Sequence, residues 1–136
     1  MDKLTIDTHI LIWYVEGIIL SEAQINLIET ARKNNLLHIS SISVWEIIML
    51  ARKAKITLSI NLNTWIDKML AIPGLNLIEL SVPVMLQACE LPNYEHKDPA
   101  DRFIIASARL INSYLMTADQ KIIDYANQGH LKLASC

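Results

Sequence analysis

Four acidic residues stand where apolar, β-prone segments give way to helices or loops. Asp7 closes Leu4-Thr5-Ile6, Glu46 lies one turn into the helix expected after the second such segment, Asp101 follows Asp98-Pro99, and Asp119 follows Tyr114-Leu115-Met116-Thr117-Ala118. Several unpaired carboxylates sharing one cleft repel each other, which raises some of their pKa values and costs stability unless cations neutralise them. Carboxylate oxygens suit hard ions such as Mg²⁺ or Mn²⁺. None of His9, His38, His96 and His130 sits at a zinc spacing beside another ligand. One or two hard ions held this way can deprotonate water for attack on phosphorus and stabilise the leaving oxygen, so phosphodiester hydrolysis needs no nucleophilic side chain. Each acid also suits a helix start. Asp98 can cap a helix with Pro99 at its first position and Asp101 three residues on, Ser43 and Glu46 have capping-box spacing, and Asp119 can cap the residues from Gln120. Both readings stand open for Glu46, Asp101 and Asp119. Asp7 is favoured as a ligand, because it precedes Thr8-His9-Ile10-Leu11-Ile12 and an unpaired buried charge costs several kcal/mol or so.

For these acids to meet, strand ends must reach a common edge. Residues 3–7 alternate and are β-prone, and residues 21–34 carry Ala23, Leu27 and Ala31 at helical spacing, with Ile28 widening the stripe. Residues 36–40 read as a strand, 43–54 as a helix through Trp45, Ile48, Met49 and Arg52, and 62–70 as a helix stopped by Pro73-Gly74. A third strand over 75–80, a helix over 84–91 ended before Pro92, and a polar loop over 93–97 follow. Asp98-Pro99 opens a helix to about Asn112, then come a strand over 113–117, a helix over 120–127 and a candidate edge strand over 131–134. Strands separated by one or two helices predict an α/β fold. It is a three-layer α/β/α sandwich with a central, mostly parallel sheet and ligands beyond the carboxyl ends of its strands.

At 136 residues, 52% hydrophobic and 19% charged, with no linker or repeat, the chain is expected to form one compact domain over residues 1–136. Its apolar runs, near residues 10–15 and 47–50, are shorter than the ~20 residues that span a bilayer, and no export signal is apparent. Cys89 and Cys136 are isolated thiols, which predicts neither a disulfide framework nor a zinc knuckle and fits a reducing cytoplasm. A formal net charge of −2 supplies no global attraction for nucleic acid, so any RNA grip must be local.

The series T-I-D-T-H at Thr5 to His9, S-x-x-S-x-W-E-I at Ser40 to Ile47, H-K-D-P-A-D-R-F-I-I-A at His96 to Ala106 and T-A-D at Thr117 to Asp119 resembles the PIN-domain family, and within it the VapC-type toxins. Order and spacing hold across almost the whole chain. The D-P-x-D-R-x-x-I-A block is its most distinctive piece. The resemblance implies Mg²⁺- or Mn²⁺-dependent cleavage of RNA at an acidic site formed by Asp7, Glu46, Asp101 and Asp119. It also implies a homodimer and a cognate antitoxin whose carboxyl-terminal segment covers the cleft. Residues 58–80 match no motif.

Thr8 and Thr117 stand beside acids and can orient a carboxylate or make plain strand-end hydrogen bonds. Arg102 can hold a phosphate, steady a carboxylate or form a surface pair. Arg52, Lys53 and Lys55, with Arg32, Lys33 and Lys97, are candidates for backbone contact or for complementing helix ends. Trp13, Tyr14, Ile18, Ile19 and Leu20 supply either a wide core stripe or a dimer or antitoxin groove. A receiver domain is excluded by Glu79-Leu80-Ser81 at the end of the third strand, and a haloacid-dehalogenase-like phosphatase by His9 where it needs a second aspartate. The rival from another class is a catalytically idle PIN-like module that binds a protein or RNA partner.

Overall fold

The computed structural model describes residues 2–134, so Cys136 lies outside the described residues, while Cys89 is free and exposed. The β-prone segments form short strands: β1 (Leu4–Ile6), β2 (Leu37–Ser40), β3 (Leu75–Ile78) and β4 (Tyr114–Met116). They pair in parallel in the order β3-β2-β1-β4, with Leu4 opposite both Leu37 and Tyr114, and Leu37 opposite Leu75. Each crossover carries two helices: α1 (Thr8–Glu16) and α2 (Glu22–Lys33), then α3 (Ser41–Arg52) and α4 (Leu62–Leu70), then α5 (Val82–Cys89) and α6 (Pro99–Leu110). After β4, α7 (Gln120–Tyr125) runs into a π-helical turn (Ala126–His130). This is the α/β/α sandwich that the alternation predicts.

Side chains alternate between two cores, as the two-residue period of a strand requires. Leu4, Ile6, Leu37, Ile39 and Met116 pack with α1, α2 and α4, whereas Leu115 packs with α5, α6 and α7. Beneath α6 the sheet presents short hydroxyl residues instead of bulky ones. Thr5 and Ser113 hydroxyls lie 2.6 Å apart, and Ser107 donates to Ser40 at 3.3 Å, all four residues being buried. Mutual hydrogen bonding removes the cost of burying them. Ala100, Ala106 and Ala108 of α6 are buried as well.

Three expectations change. β2 runs directly into α3 with Ser40 as the cap, its hydroxyl accepting from Ile42 N at 3.3 Å, so Ser43 is a fully buried residue inside the helix and forms no capping box with Glu46. The final helix leaves α geometry at Tyr125, and residues 131–134 add only one parallel bridge, Leu115 with Leu133, instead of a strand. Gly129, at φ 96°, turns the chain there and leaves only a short stretch alongside β4. The unmatched residues 58–80 prove architectural. Trp65 and Met69 of α4 are fully buried. The turn into β3 passes the carbonyl of Arg32 so closely that a Cβ on Gly74, at φ +85°, would lie 1.8 Å from that oxygen.

Candidate active site

From β1 the chain moves outward through β2 to β3, then returns past both to place β4 on the other side of β1. Open parallel sheets bind ligands beyond the carboxyl edge at such a reversal. Asp7 follows β1 and Asp119 lies three residues beyond β4, on the two sides of that point. Glu46, in the second turn of α3, and Asp101, in the first turn of α6, reach the same place. A cavity of about 350 Å³ is lined by all four, by Asp98, and by Thr8, His9, Trp13, Ile104 and Ala118. Sequence reasoning singled out every acid in this lining. It missed that His9 and Trp13 belong there, because the helix over residues 8–16 that carries them was not foreseen; their four-residue spacing was the available signal.

Most of these carboxylates are held by local donors. Asp7 caps α1, accepting from Ile10 N at 3.0 Å through Oδ1, and its Oδ2 accepts from the Thr117 hydroxyl. The same hydroxyl accepts from Asp119 N at 3.0 Å, so Thr117 ties the ends of β1 and β4 together. Asp98 caps α6 through Ala100 N at 3.0 Å, and Asp119 caps α7 through Lys121 N at 2.9 Å. Glu46 Oε1 accepts from the Thr8 hydroxyl at 2.5 Å, and that hydroxyl also reaches Ser43 Oγ at 2.9 Å. Thr8 and Thr117 therefore orient carboxylates. Among the described residues, no three acid, histidine or cysteine groups converge into a metal-holding cluster.

The electrostatics nonetheless record strain. Burial raises the pKa of Asp7, partly offset by its bonds from Thr117 and Ile10. Burial also raises that of Glu46, partly offset by Thr8, with Asp98 and Asp7 raising it further. Asp101 is pushed up to about 7, first by burial and then by the charges of Asp98, Asp119, Glu46 and Asp7. Four neighbours of one sign act on a single group, and no lysine or arginine lines the cavity. An all-oxygen donor set with this repulsion fits a hard divalent cation.

Two sequence candidates work elsewhere. Arg102 spends its fork on carbonyls, donating to His96 O at 3.0 Å, Ala88 O at 3.1 Å and Tyr94 O at 2.9 Å, with its guanidinium over the Tyr94 ring. It fastens α6 to the end of α5 and to the loop ahead of Asp98, and among the described residues it makes no bond to a site carboxylate and no surface pair. Lys53 caps the carboxyl end of α3, so the basic group Arg52, Lys53 and Lys55 lies at the opposite end of that helix from the cleft. Arg32 pairs with Glu29 at 3.0 Å.

No curated protein matches the chain in sequence. Among solved structures it is similar to VapBC2 from Rickettsia felis bound to a DNA fragment from the promoter, at 21% identity and TM-score 0.70, covering 96% of each chain. It is similar to a toxin-antitoxin complex from Klebsiella pneumoniae at 21% identity and TM-score 0.61, covering 88% of each chain. It is also similar to FitAcB from Neisseria gonorrhoeae at 15% identity and TM-score 0.67, covering 97% of this chain and 96% of the other. At these identities the likeness is one of fold. The PIN domain profile matches residues 4–128, which takes in every strand and every acid of the cleft, and the chain belongs to the PIN domain family.

Proposed function

We propose that this protein is a metal-dependent endoribonuclease that acts as the toxin of a toxin–antitoxin pair. The observation that carries the reading is the cavity at the carboxyl edge of the sheet, lined by five carboxylates and no lysine or arginine. PIN domains are in general nucleases that use divalent ions, and the donor set here is of the matching kind. Asp7, Glu46, Asp101 and Asp119 would hold Mg²⁺ or Mn²⁺, with Asp98 beside them. Bound there, such ions supply an acidified attacking water and charge neutralisation at the leaving oxygen. The chain's own contribution is placement. Thr117 and Thr8 donate to Asp7 and Glu46, which favours their ionised forms and fixes their orientation. The caps at Asp98 and Asp119 set the directions of α6 and α7.

The toxin role draws on the fold shared with the Klebsiella pneumoniae complex. On that reading the partners are an RNA substrate, a second copy of the chain and a cognate antitoxin, and the protein works in the cytoplasm as one domain over residues 1–136. Ile18 and Ile19, 51% and 70% exposed after α1, supply apolar surface for a protein partner, while Trp13, Tyr14 and Leu20 pack on the core. No helix among the described residues is long and apolar enough to cross a membrane.

Incubation of the purified chain with a generic RNA, in Mg²⁺ or Mn²⁺ and in excess chelator, tests the reading. Cleavage is expected with metal and none with chelator. A folded, metal-supplied protein that leaves RNA intact would instead support the catalytically idle module.

A further inference from the structure

The acidic cleft carries an aromatic pair that the metal chemistry does not use. His9 and Trp13 lie one helical turn apart on α1, both line the cavity, and their ring centroids are 6.0 Å apart with planes inclined at 55°. Positions i and i+4 of a helix face the same way. Trp13 is half-buried and packs on the core between sheet and helices, which anchors the indole, whereas His9 is exposed at the cavity mouth. The other polar groups of the lining are the five carboxylates and Thr8. A polyanion entering the cleft therefore meets no fixed cationic side chain that could clamp its phosphates. An aromatic ring, by contrast, offers attachment without charge, because every nucleobase has a π face. A base inside a duplex has both faces covered by its neighbours, so the rings can be used only by a base that is splayed out of a strand.

We propose that the Trp13 indole, with the His9 ring inclined at its side, is a stacking platform for one unpaired base of a single-stranded RNA, with the adjoining phosphate directed toward the carboxylates of the same cavity. The proposal rests on the nuclease reading for the identity of the polymer. It places the preference for unpaired RNA on α1 and not on any basic surface.

Binding of a short labelled single-stranded RNA, measured by anisotropy with the full chain carrying Asp101→Asn so that no cleavage intervenes, tests the platform. Adding Trp13→Ala should weaken binding about 5- to 150-fold, the equivalent of about 1–3 kcal/mol for one stacked base. Trp13→Phe should recover most of the loss, and His9→Ala, at an exposed position, should weaken binding by a smaller factor. An abasic strand should bind equally well whether or not Trp13→Ala is present, and a perfect duplex should bind worse than the strand. Unchanged affinity in both Trp13→Ala and His9→Ala overturns the platform, as does a duplex bound as tightly as the strand or a strand that does not bind at all. Because the readout is binding, a wild-type chain that binds with this pattern yet cleaves nothing refutes the nuclease reading and leaves the platform standing.

Discussion

Asp101 is the acid on which the other four act, and replacing it by asparagine should make the protein more stable while silencing it. Its carboxyl is pushed up to about 7 from an ordinary 3.8. At 1.36 kcal/mol per pKa unit that difference is about 4 kcal/mol, and screening of a partly exposed group reduces it to about 2 kcal/mol. The sign follows from proton counting. Between the unfolded value near 4 and the folded value near 7 the native state holds a proton that the unfolded state has lost, so stability falls as pH rises through that window and stays low above it. Asparagine resembles the protonated acid and escapes the loss. Without metal at pH 8, Asp101→Asn should therefore melt roughly 6–8 °C above the parent chain, with the gap closing toward pH 4. Adding Mg²⁺ or Mn²⁺ should lift the parent more than the variant, since an ion bound only by the folded state stabilises it by mass action. Thermal melts across pH, with and without metal, beside an RNA cleavage assay, decide the matter. A variant that melts at or below the parent at pH 8 without metal shows that the Asp101 charge is not opposed by its neighbours, and the electrostatic account of the cleft fails.

Three other perturbations have distinct signatures. Thr117→Val keeps the shape but removes the donor to Asp7, so the acidic limb of the pH–rate profile should move to higher pH and stability should fall by about 1–3 kcal/mol; an unmoved limb would deny Thr117 its part in setting Asp7. Arg102→Ala should cost about 2–3 kcal/mol in a denaturant melt, because three carbonyls lose a charged donor, while the salt dependence of RNA binding stays unchanged. A shallower salt slope with unaltered stability would return Arg102 to a phosphate-binding role. Gly74→Ala should cost about 2–3 kcal/mol through a left-handed backbone and a collision with the Arg32 carbonyl, yet leave activity per folded molecule intact; a neutral melt would show that the turn relaxes.

The sequence made the strands legible because buried parallel strands need β-prone apolar runs, and Leu4-Thr5-Ile6 and Leu37-His38-Ile39 have no other use. Helix starts were legible wherever a residue type has one physical job, as with Asp98 before Pro99. The start of α3 was misplaced because Ser40, Ser41 and Ser43 are equivalent caps in isolation. Only the direct passage from β2 into α3 selects Ser40 and sends Ser43 inward to meet Thr8. Arg102 was left open between several roles for a similar reason. A guanidinium matches carbonyls as well as phosphates, and which it finds depends on Ala88, Tyr94 and His96 coming near it through the packing of α5 on α6. Residues 58–80 disclosed their helix and strand but no motif because their work is packing: Trp65 and Met69, four residues apart on α4, are fully buried, and such spacing marks a buried helix face without marking a function.

Capping and metal holding stood as competing explanations of the acids; the structure shows the capping, and the proposed metal role is compatible with it. A carboxylate has two oxygens, and a cap needs one of them. Asp7, Asp98 and Asp119 each commit Oδ1 to the first turn of the helix they open, and α1, α6 and α7 thereby direct their amino ends at the cavity these residues line. The positive ends of helices favour negative charge nearby, worth roughly 0.3–1 kcal/mol each, which tempers the repulsion that would otherwise force protons onto more of the cluster. The offset is incomplete, since Asp101 caps nothing and is still pushed up to about 7 by burial and by its four acidic neighbours. On the proposed reading, a divalent cation would relieve the residual repulsion. Helix starts thus hold the charges in place without satisfying them.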